Sequence, residues 1–497
     1  MISEHAKRKS CKVERGNFRQ TFIETPSVSA LLFLVVSAAY IPVLAASQDE
    51  ALQTINPSQL YGEGSEQSLF AAQSLNPAVT MSASILEVGL EDAVKRAVGW
   101  HPSIGESVSE LYQQQQNIRA ARAGYFPQLS IGVVGGYESE YDGDGDGHAV
   151  QLYLSQVLYD FGKISSEVDA ATAGAQVSQA RVLQQVDLIG RDTAQAAIEV
   201  QRYQALLSSA EEQIQGVSAI SRLVSLRNER GASSRSDVLQ AQSRIESARA
   251  TRQQLLAQLN RWKGVLQNLM GVEQPIALTM RIPETVVRGC QVDPVQASYA
   301  PAVLLAEAQR AEAVAQLKEA KAQSWPTLSL DGSVNSYLDQ EYVDANALNN
   351  HENAVFLNLS MPIYQGGRIF ANRDAAGFAL RSAEAAKDNA RLSAVRDLRI
   401  SQNQSDGLEK SLSILDARLR AISETRDLYR QQYSSLGTRT LVELLNSEQE
   451  LYQARIEKNN TEYDLNKLRV DCLYSVGEIR NAFNLQDRPI QGVKVLP

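Results

Sequence analysis

No proline stands between Pro127 and Pro275, or between Pro362 and Pro489, in a chain of 497 residues that has fourteen of them. Proline breaks a helix by removing an amide donor and by clashing with the carbonyl four residues back. Two stretches this long without one are free to run as very long helices. Their residues agree: Ala, Gln, Leu, Arg, Glu and Ser dominate, which are good or tolerated helix formers. Apolar side chains recur at three and four, as in Val182, Val186 and Ile189, then Ala196, Val200, Tyr203 and Leu207. The spacing predicts helices over 163–230 and 368–435, the first roughly 100 Å long at ~1.5 Å per residue. Gly231 and Gly437 then break the pattern, and second helices are predicted over 236–270 and 440–483. Each desert reads as an antiparallel helical hairpin long enough to need coiled-coil packing.

The segments flanking each hairpin have a different period. Leu129, Ile131 and Val133 alternate with polar or small residues, as do Val150, Leu152, Leu154 and Leu158. In the second half Leu328 and Leu330 alternate likewise, and then Val355, Leu357, Leu359, Met361 and Ile363. Period two over about ten residues predicts strands with one apolar and one polar face, near 128–138, 149–160, 327–337 and 353–364. This is also the length and pattern of a tilted strand in an outer membrane. Phe126, Tyr137, Tyr159, Trp325, Tyr337 and Tyr364 stand near the strand ends, where interfacial girdles belong.

The halves repeat. Phe126-Pro127 and Trp325-Pro326 lie 199 residues apart (325 minus 126). The turn at residues 159–163 matches 364–368 at 205 (364 minus 159), placing Gly162 against Gly367 and Phe161 against Gly366, with Gly162, Gly366 and Gly367 read as strand-to-helix turns. Gly231 with Asp237 matches Gly437 with Glu443 at 206 (437 minus 231). The drift falls mainly between paired strands, where extra loop length costs least. The organisation is a first repeat over 86–285, a second over 286–485 and a tail over 486–497. Four strands cannot close a barrel, and lipid does not tolerate open edges. Three chains give twelve strands; two would give eight, a barrel filled by its own side chains.

The N-terminus reads as a secretory signal over 1–46. Lys7, Arg8, Lys9, Lys12, Arg15 and Arg19 precede an apolar stretch from Val28 to Leu44, and Val43-Leu44-Ala45 suits cleavage. No cysteine stands there to carry a lipid anchor. Residues 47–85 are polar, with Pro, Gly and Ser, and read as a flexible linker. Cys11 falls in the signal, which leaves Cys290 and Cys472 either bonded or free.

In this order the segments resemble the TolC family of outer membrane efflux and secretion factors. The resemblance covers about residues 86–483. It is carried by residues 123–130 (AGYFPQLS) at the first strand, 361–368 (MPIYQGGR) at the second-half strand-to-helix turn and 437–445 (GTRTLVELL) at the helical tip. It implies a mainly α fold with a membrane β-barrel: a homotrimer with a twelve-stranded barrel, a long helical tunnel and a mixed belt built from about 272–300 and the C-terminal region. It places the chain in the outer membrane of a Gram-negative bacterium, with a large periplasmic part. Its partners would be outer membrane lipid, a periplasmic adaptor and an inner membrane transporter, either an ABC exporter or a proton-driven pump.

The resemblance also assigns the tip. Arg439 is the donor of a polar gate link, with Asp237 and Ser236 as acceptors, an Arg fork suiting a carboxylate. The tyrosine that the family often adds falls at Ser434, with Tyr433 one residue earlier. Glu443 and Asn446, one turn apart, take the positions of the pore constriction ring, which Glu443 would make cation-favouring.

Several chemistries find no support. A net charge of -9 disfavours nucleic acid. The four histidines are scattered, the cysteines form no zinc spacing, and no catalytic constellation stands out, so no cofactor, metal or enzymatic activity is expected. Gly366-Gly367 is followed by no phosphate-loop lysine. The Asp-Gly run over 142–147 starts like a calcium loop, but Tyr153 holds its twelfth position, and a flexible acidic loop is expected. The function expected is a passive exit duct, with protein secretion favoured over small-molecule efflux by the GTRT tip and the absent lipidation cysteine. A periplasmic coiled-coil adaptor is the rival of another class, but it needs no duplicated strands with girdle aromatics.

Overall fold

The computed structural model describes residues 53–55, 86–138, 145–338, 351–486 and 489–495. The signal segment, most of 47–85 and residues 142–144 of the Asp-Gly run lie outside them.

The chain opens with two short strands, β1 (Gln53–Ile55) and β2 (Leu86–Val88), then helices α1 (Leu90–Trp100) and α2 (Pro102–Arg122). A strand pair follows, β3 (Gln128–Glu138) and β4 (Gly145–Tyr159), then the first helical hairpin, α3 (Lys163–Glu229) and α4 (Arg235–Met270). The second repeat begins after β5 (Ile276–Leu278) and α5 (Glu284–Val287), with α6 (Pro301–Ala322). Then come β6 (Thr327–Tyr337), β7 (His351–Ser360), α7 (Arg368–Gln431) and α8 (Leu441–Ser475). A short α9 (Ile479–Ala482) and strands β8 (Pro489–Ile490) and β9 (Val493–Val495) complete it.

Local chemistry sets the ends of the long helices. At the start of α3, Gly162 takes φ 90°, which a side chain would strain. The Asp160 carboxylate accepts from the amides of Gly162 at 2.9 Å and Ile164 at 2.6 Å, donors the helix itself leaves unmet. At the equivalent place before α7, Gly366 and Gly367 take φ 62° and 86°. The far ends turn at Gly231 and Gly437, φ 73° and 64°, and α7 reaches its glycine through a π turn over Gln432–Leu436. With 67 and 64 residues, α3 and α7 run ~100 and ~96 Å.

The core centres on α3, which packs against α2, α4, α6 and α8. Val182, Val186, Ile189, Ala196 and Val200 are all buried there, with Leu90, Ile104, Leu266 and Phe483 closing over them. The short elements gather on this same core. β2 pairs in parallel with β5, and β9 lies between β1 and β8. Cys290 is disulfide-bonded to Cys472 of α8 across 182 residues of chain, with Cα atoms 5.1 Å apart. Gln402 of α7 donates to the carbonyls of Cys290 (3.1 Å) and Val292 (2.9 Å). The segment before α6 is thereby fastened to both α7 and α8.

Several boundaries differ from the pattern read along the chain. The strand expected over 353–364 stops at Ser360, short of Pro362, which has no amide to donate, and the strand expected over 149–160 already begins at Gly145. The helix expected over 440–483 ends at Ser475, because Gly477 takes φ 75° and the Glu478 amide turns back to the Leu473 carbonyl at 2.9 Å. The stretch read as a linker over 47–85 contains β1, and the tail over 486–497 contains β8 and β9, which pair with each other, β9 pairing also with β1. All three strands are too short to show a period, and β1 is defined only by its chain-distant pairing with β9.

Candidate functional site

The four long strands form one antiparallel sheet in the order β3-β4-β6-β7. Its register, Leu129 to Leu154, Leu152 to Val334 and Leu330 to Leu357, puts the apolar positions of all four strands on one face. That face is left bare: Ile131 is 75 % exposed and Val355 73 %. The other face carries Ser130, Tyr153, Ser155, Ser329, Asp331 and Asn358, and hydrogen bonds cross it, Ser155 Oγ to Asp331 Oδ1 at 2.6 Å and Asn358 Nδ2 to Asp331 Oδ2 at 3.2 Å. An exposed leucine-rich face backed by a polar one is the inverse of a soluble sheet packed on a core.

The aromatics fall at both ends. Phe126, Tyr159, Trp325 and Tyr364 stand exposed where the strands meet the helices. Phe161, which no pattern singled out, joins them, edge-on to Tyr159 at 4.6 Å and stacked on Trp325 at 5.9 Å. Tyr337 lies at the other end, its hydroxyl 3.1 Å from Glu352, and Tyr137 lies at that end of β3. Strand lengths near ten residues put the rings about 25 Å apart along the normal, once tilt is allowed for.

At the opposite end of α3 and α7 the two hairpins meet in a separate apolar cluster of Val217, Ile220, Val224, Tyr433, Leu441, Leu444 and Leu445. Two capping boxes repeat there. Ser234 caps α4 and receives the Asp237 amide at 3.1 Å, while the Asp237 carboxylate accepts from the Ser234 amide at 3.0 Å. Thr440 and Glu443 make the same exchange at the start of α8, at 3.3 and 2.9 Å. Glu443 is held below the usual carboxylate range by the Thr440 amide and by Arg439. Asp237 is held low by the Ser233 hydroxyl and the Ser234 amide.

Within the chain Arg439 does not meet Asp237 or Ser236. Its Nη1 donates to Glu443 Oε1 at 2.7 Å, its Nε to Gln432 Oε1 at 3.1 Å, and the guanidinium lies 4.4 Å from the Tyr429 ring. The Ser236 hydroxyl lies 2.7 Å from that of Ser234. Asn446 is exposed, 3.4 Å from Arg244 of the other hairpin. Tyr433 is buried in the cluster, so it supplies no surface link. A shorter tie between the tips is Arg227, whose Nη1 donates to the Tyr433 carbonyl at 2.6 Å with its guanidinium 4.8 Å from that ring. Arg227 lies one turn before a glycine in a helix rich in arginines, so nothing in the sequence marks it.

No described helix is long and apolar enough to cross a membrane. A four-stranded sheet with a bare apolar face, set end-on to helices of about 100 Å, is the architecture of an outer membrane channel subunit. The chain belongs to the outer membrane efflux protein family, whose model matches residues 93–272 and again 297–471. The second match begins 204 residues after the first (297 minus 93), the spacing of the internal repeat. Over 394 residues the chain is 26 % identical to the pyoverdine export outer membrane protein OpmQ of Pseudomonas aeruginosa, covering 74 % of this chain and 80 % of that one. It is 24 % identical over 395 residues to outer membrane protein TolC of Escherichia coli, covering 74 % and 78 %. Among solved structures, CusC superposes with a TM-score of 0.70 at 17 % identity, over 83 % of this chain and 98 % of that one.

Proposed function

We propose that three copies of this chain close into a twelve-stranded barrel in the outer membrane, continued by a helical tunnel, and serve as the passive exit duct of a tripartite export system. The observation that carries this is the pair of edges β3 and β7, of 11 and 10 residues. Each presents a row of backbone groups beside a bare apolar face, and in hydrocarbon such groups cost several kcal/mol apiece unless paired. β7 of one copy meeting β3 of the next satisfies both. Below the sheet, α7 extends the same edge with exposed Phe370, Phe378, Leu392, Ile414 and Leu428, a stripe that a second copy's helices would cover.

Residues 1–46 act as the export signal in this reading. The aromatic ends seat the barrel between the two headgroup layers, and the positive-φ glycines turn each strand into its helix. The tip is the gate. Asp237 accepts the Ser233 hydroxyl and the Ser234 amide at Oδ2, and its carboxylate is the acceptor offered to Arg439 of a neighbouring copy. Glu443 and Asn446 line the constriction. An adaptor and an energy-supplying transporter, an ABC exporter or a proton-driven pump, dock at this end. The GTRT tip favours secreted protein as cargo; the pyoverdine export role of one relative favours small molecules, and the same duct serves either.

The test is fractionation with heat-modifiable gel mobility, followed by planar-bilayer recording. Trimers in the outer membrane and discrete channels are expected. Arg439→Ala should raise single-channel conductance by releasing the gate. A soluble monomer sinks the channel reading, and unchanged conductance sinks the assignment of the tip.

A further inference from the structure

At membrane depth the strands carry a single formal charge. Across residues 128–135, 149–159, 327–336 and 353–360, Asp331 is the only Asp, Glu, Lys or Arg. It lies on the polar face, four residues into β6, so roughly 13 Å from the helical end of the strand at ~3.3 Å per residue. Three strands converge on it: Ser155 Oγ of β4 donates at 2.6 Å, Ser329 Oγ of β6 at 3.1 Å and Asn358 Nδ2 of β7 at 3.2 Å. Every donor is neutral. No cation stands within ion-pair distance of it among the described residues.

An ionisable side chain at membrane depth is costly and marks function unless a counter-charge explains it. Here the neutral donors satisfy the carboxylate without cancelling its charge. Phe356 sits directly across from Asp331 on β7, and Tyr153 lies one step along β4; both rings are exposed on the polar face. Ring faces attract cations and repel anions. The helical tip is the opposite case, since Glu443 shares its charge with Arg439.

We propose that Asp331 sets the ionic selectivity of the barrel: three copies form an acidic ring at one level of the lumen wall, framed by Tyr153 and Phe356, that admits cations over anions. This rests on the trimeric barrel proposed above. Twelve strands ~4.8 Å apart and tilted by ~40° enclose a backbone radius of about 12 Å. Side chains narrow the free radius to about the ~8 Å Debye length of physiological salt, so the ring's field reaches the axis and fades at 1 M. The tip therefore gates, and the barrel selects.

The experiment measures reversal potential across a tenfold KCl gradient for the full-length channel, the Asp331→Asn variant and the Glu443→Gln variant. In low salt Asp331→Asn should lower the cation-to-anion permeability ratio by roughly twofold or more, an effect lost at 1 M, while Glu443→Gln should change it less. Equal ratios for wild type and Asp331→Asn would overturn the proposal. As a second measurement that leaves Asp331 in place, Phe356→Cys is labelled with methanethiosulfonate reagents of opposite charge. Several-fold faster labelling by the cationic reagent in low salt is expected, and equal rates overturn the proposal. Absence of channels from wild type fails the trimeric reading itself, whereas channels with unaltered selectivity fail only the role of Asp331.

Discussion

Arg480 of α9 reaches into the core to meet Asp187 of α3, Nε to Oδ1 at 3.1 Å, with the carboxylate wholly inaccessible and the guanidinium nearly so. The pair fastens the C-terminal segment to the longest helix. Its hydrogen bonding is incomplete: Asp187 Oδ2 and Arg480 Nη1 are buried without partners. Burial pushes the Asp187 carboxyl up to about 6 although Arg480 opposes this, and Glu478 pushes the same way as burial. Replacing Arg480 by Met leaves a buried carboxylate with no counter-charge, a change that costs about 3–5 kcal/mol at neutral pH. Replacing both residues by apolar ones, Asp187→Leu with Arg480→Met, removes charge and partner together and should restore stability to within ~1 kcal/mol or exceed it.

The pH dependence has a definite sign. A carboxyl whose folded pKa lies above its unfolded value binds its proton more tightly in the native state. Its contribution is therefore full below the unfolded value of 3.8 and is lost as pH rises through about 6. Without Arg480, which holds the carboxyl down, burial pushes Asp187 higher still, so the single variant takes up its proton before wild type does and its deficit should shrink between pH 7.5 and pH 5. Urea unfolding of detergent-solubilised protein, followed by circular dichroism at both pH values, reads this directly. A single variant within ~1 kcal/mol of wild type at pH 7.5, or a deficit that grows on acidification, would refute the reasoning.

Two further outcomes are expected. Changing Cys290 and Cys472 together to Ala should cost about 2–5 kcal/mol, seen as an earlier urea midpoint that matches that of reduced wild type; an unshifted midpoint would show that Gln402 and the apolar packing hold the belt alone. Leu357→Lys, on the bare apolar face, should lose about 2–4 kcal/mol of membrane stability and with it most of the heat-modifiable species, whereas Ser333→Lys on the polar face should retain it.

The elements and their repetition are legible along the chain. Proline exclusion, helix-compatible composition and glycines at fixed offsets specify two long hairpins, and period two specifies four half-apolar strands, because both signals are local and span many residues. Girdle aromatics could be picked out because they terminate a period. The three-residue strands β1 and β2 could not, since they exist only through pairing with residues far along the chain, Gln53 with Val493 and Leu86 with Ile276. The same holds for the tip. Its glycines and capping residues act on their own turns and can be read locally, but the choice of Arg439 between Glu443 and Asp237 depends on how two hairpins and neighbouring copies approach. Arg227, Phe161 and the bond between Cys290 and Cys472 likewise follow from three-dimensional proximity alone. Asp331 joins the two levels: its type and its isolation are written in the sequence, while the polar face and the three donors that keep its charge unpaired were decided by the register of β4, β6 and β7.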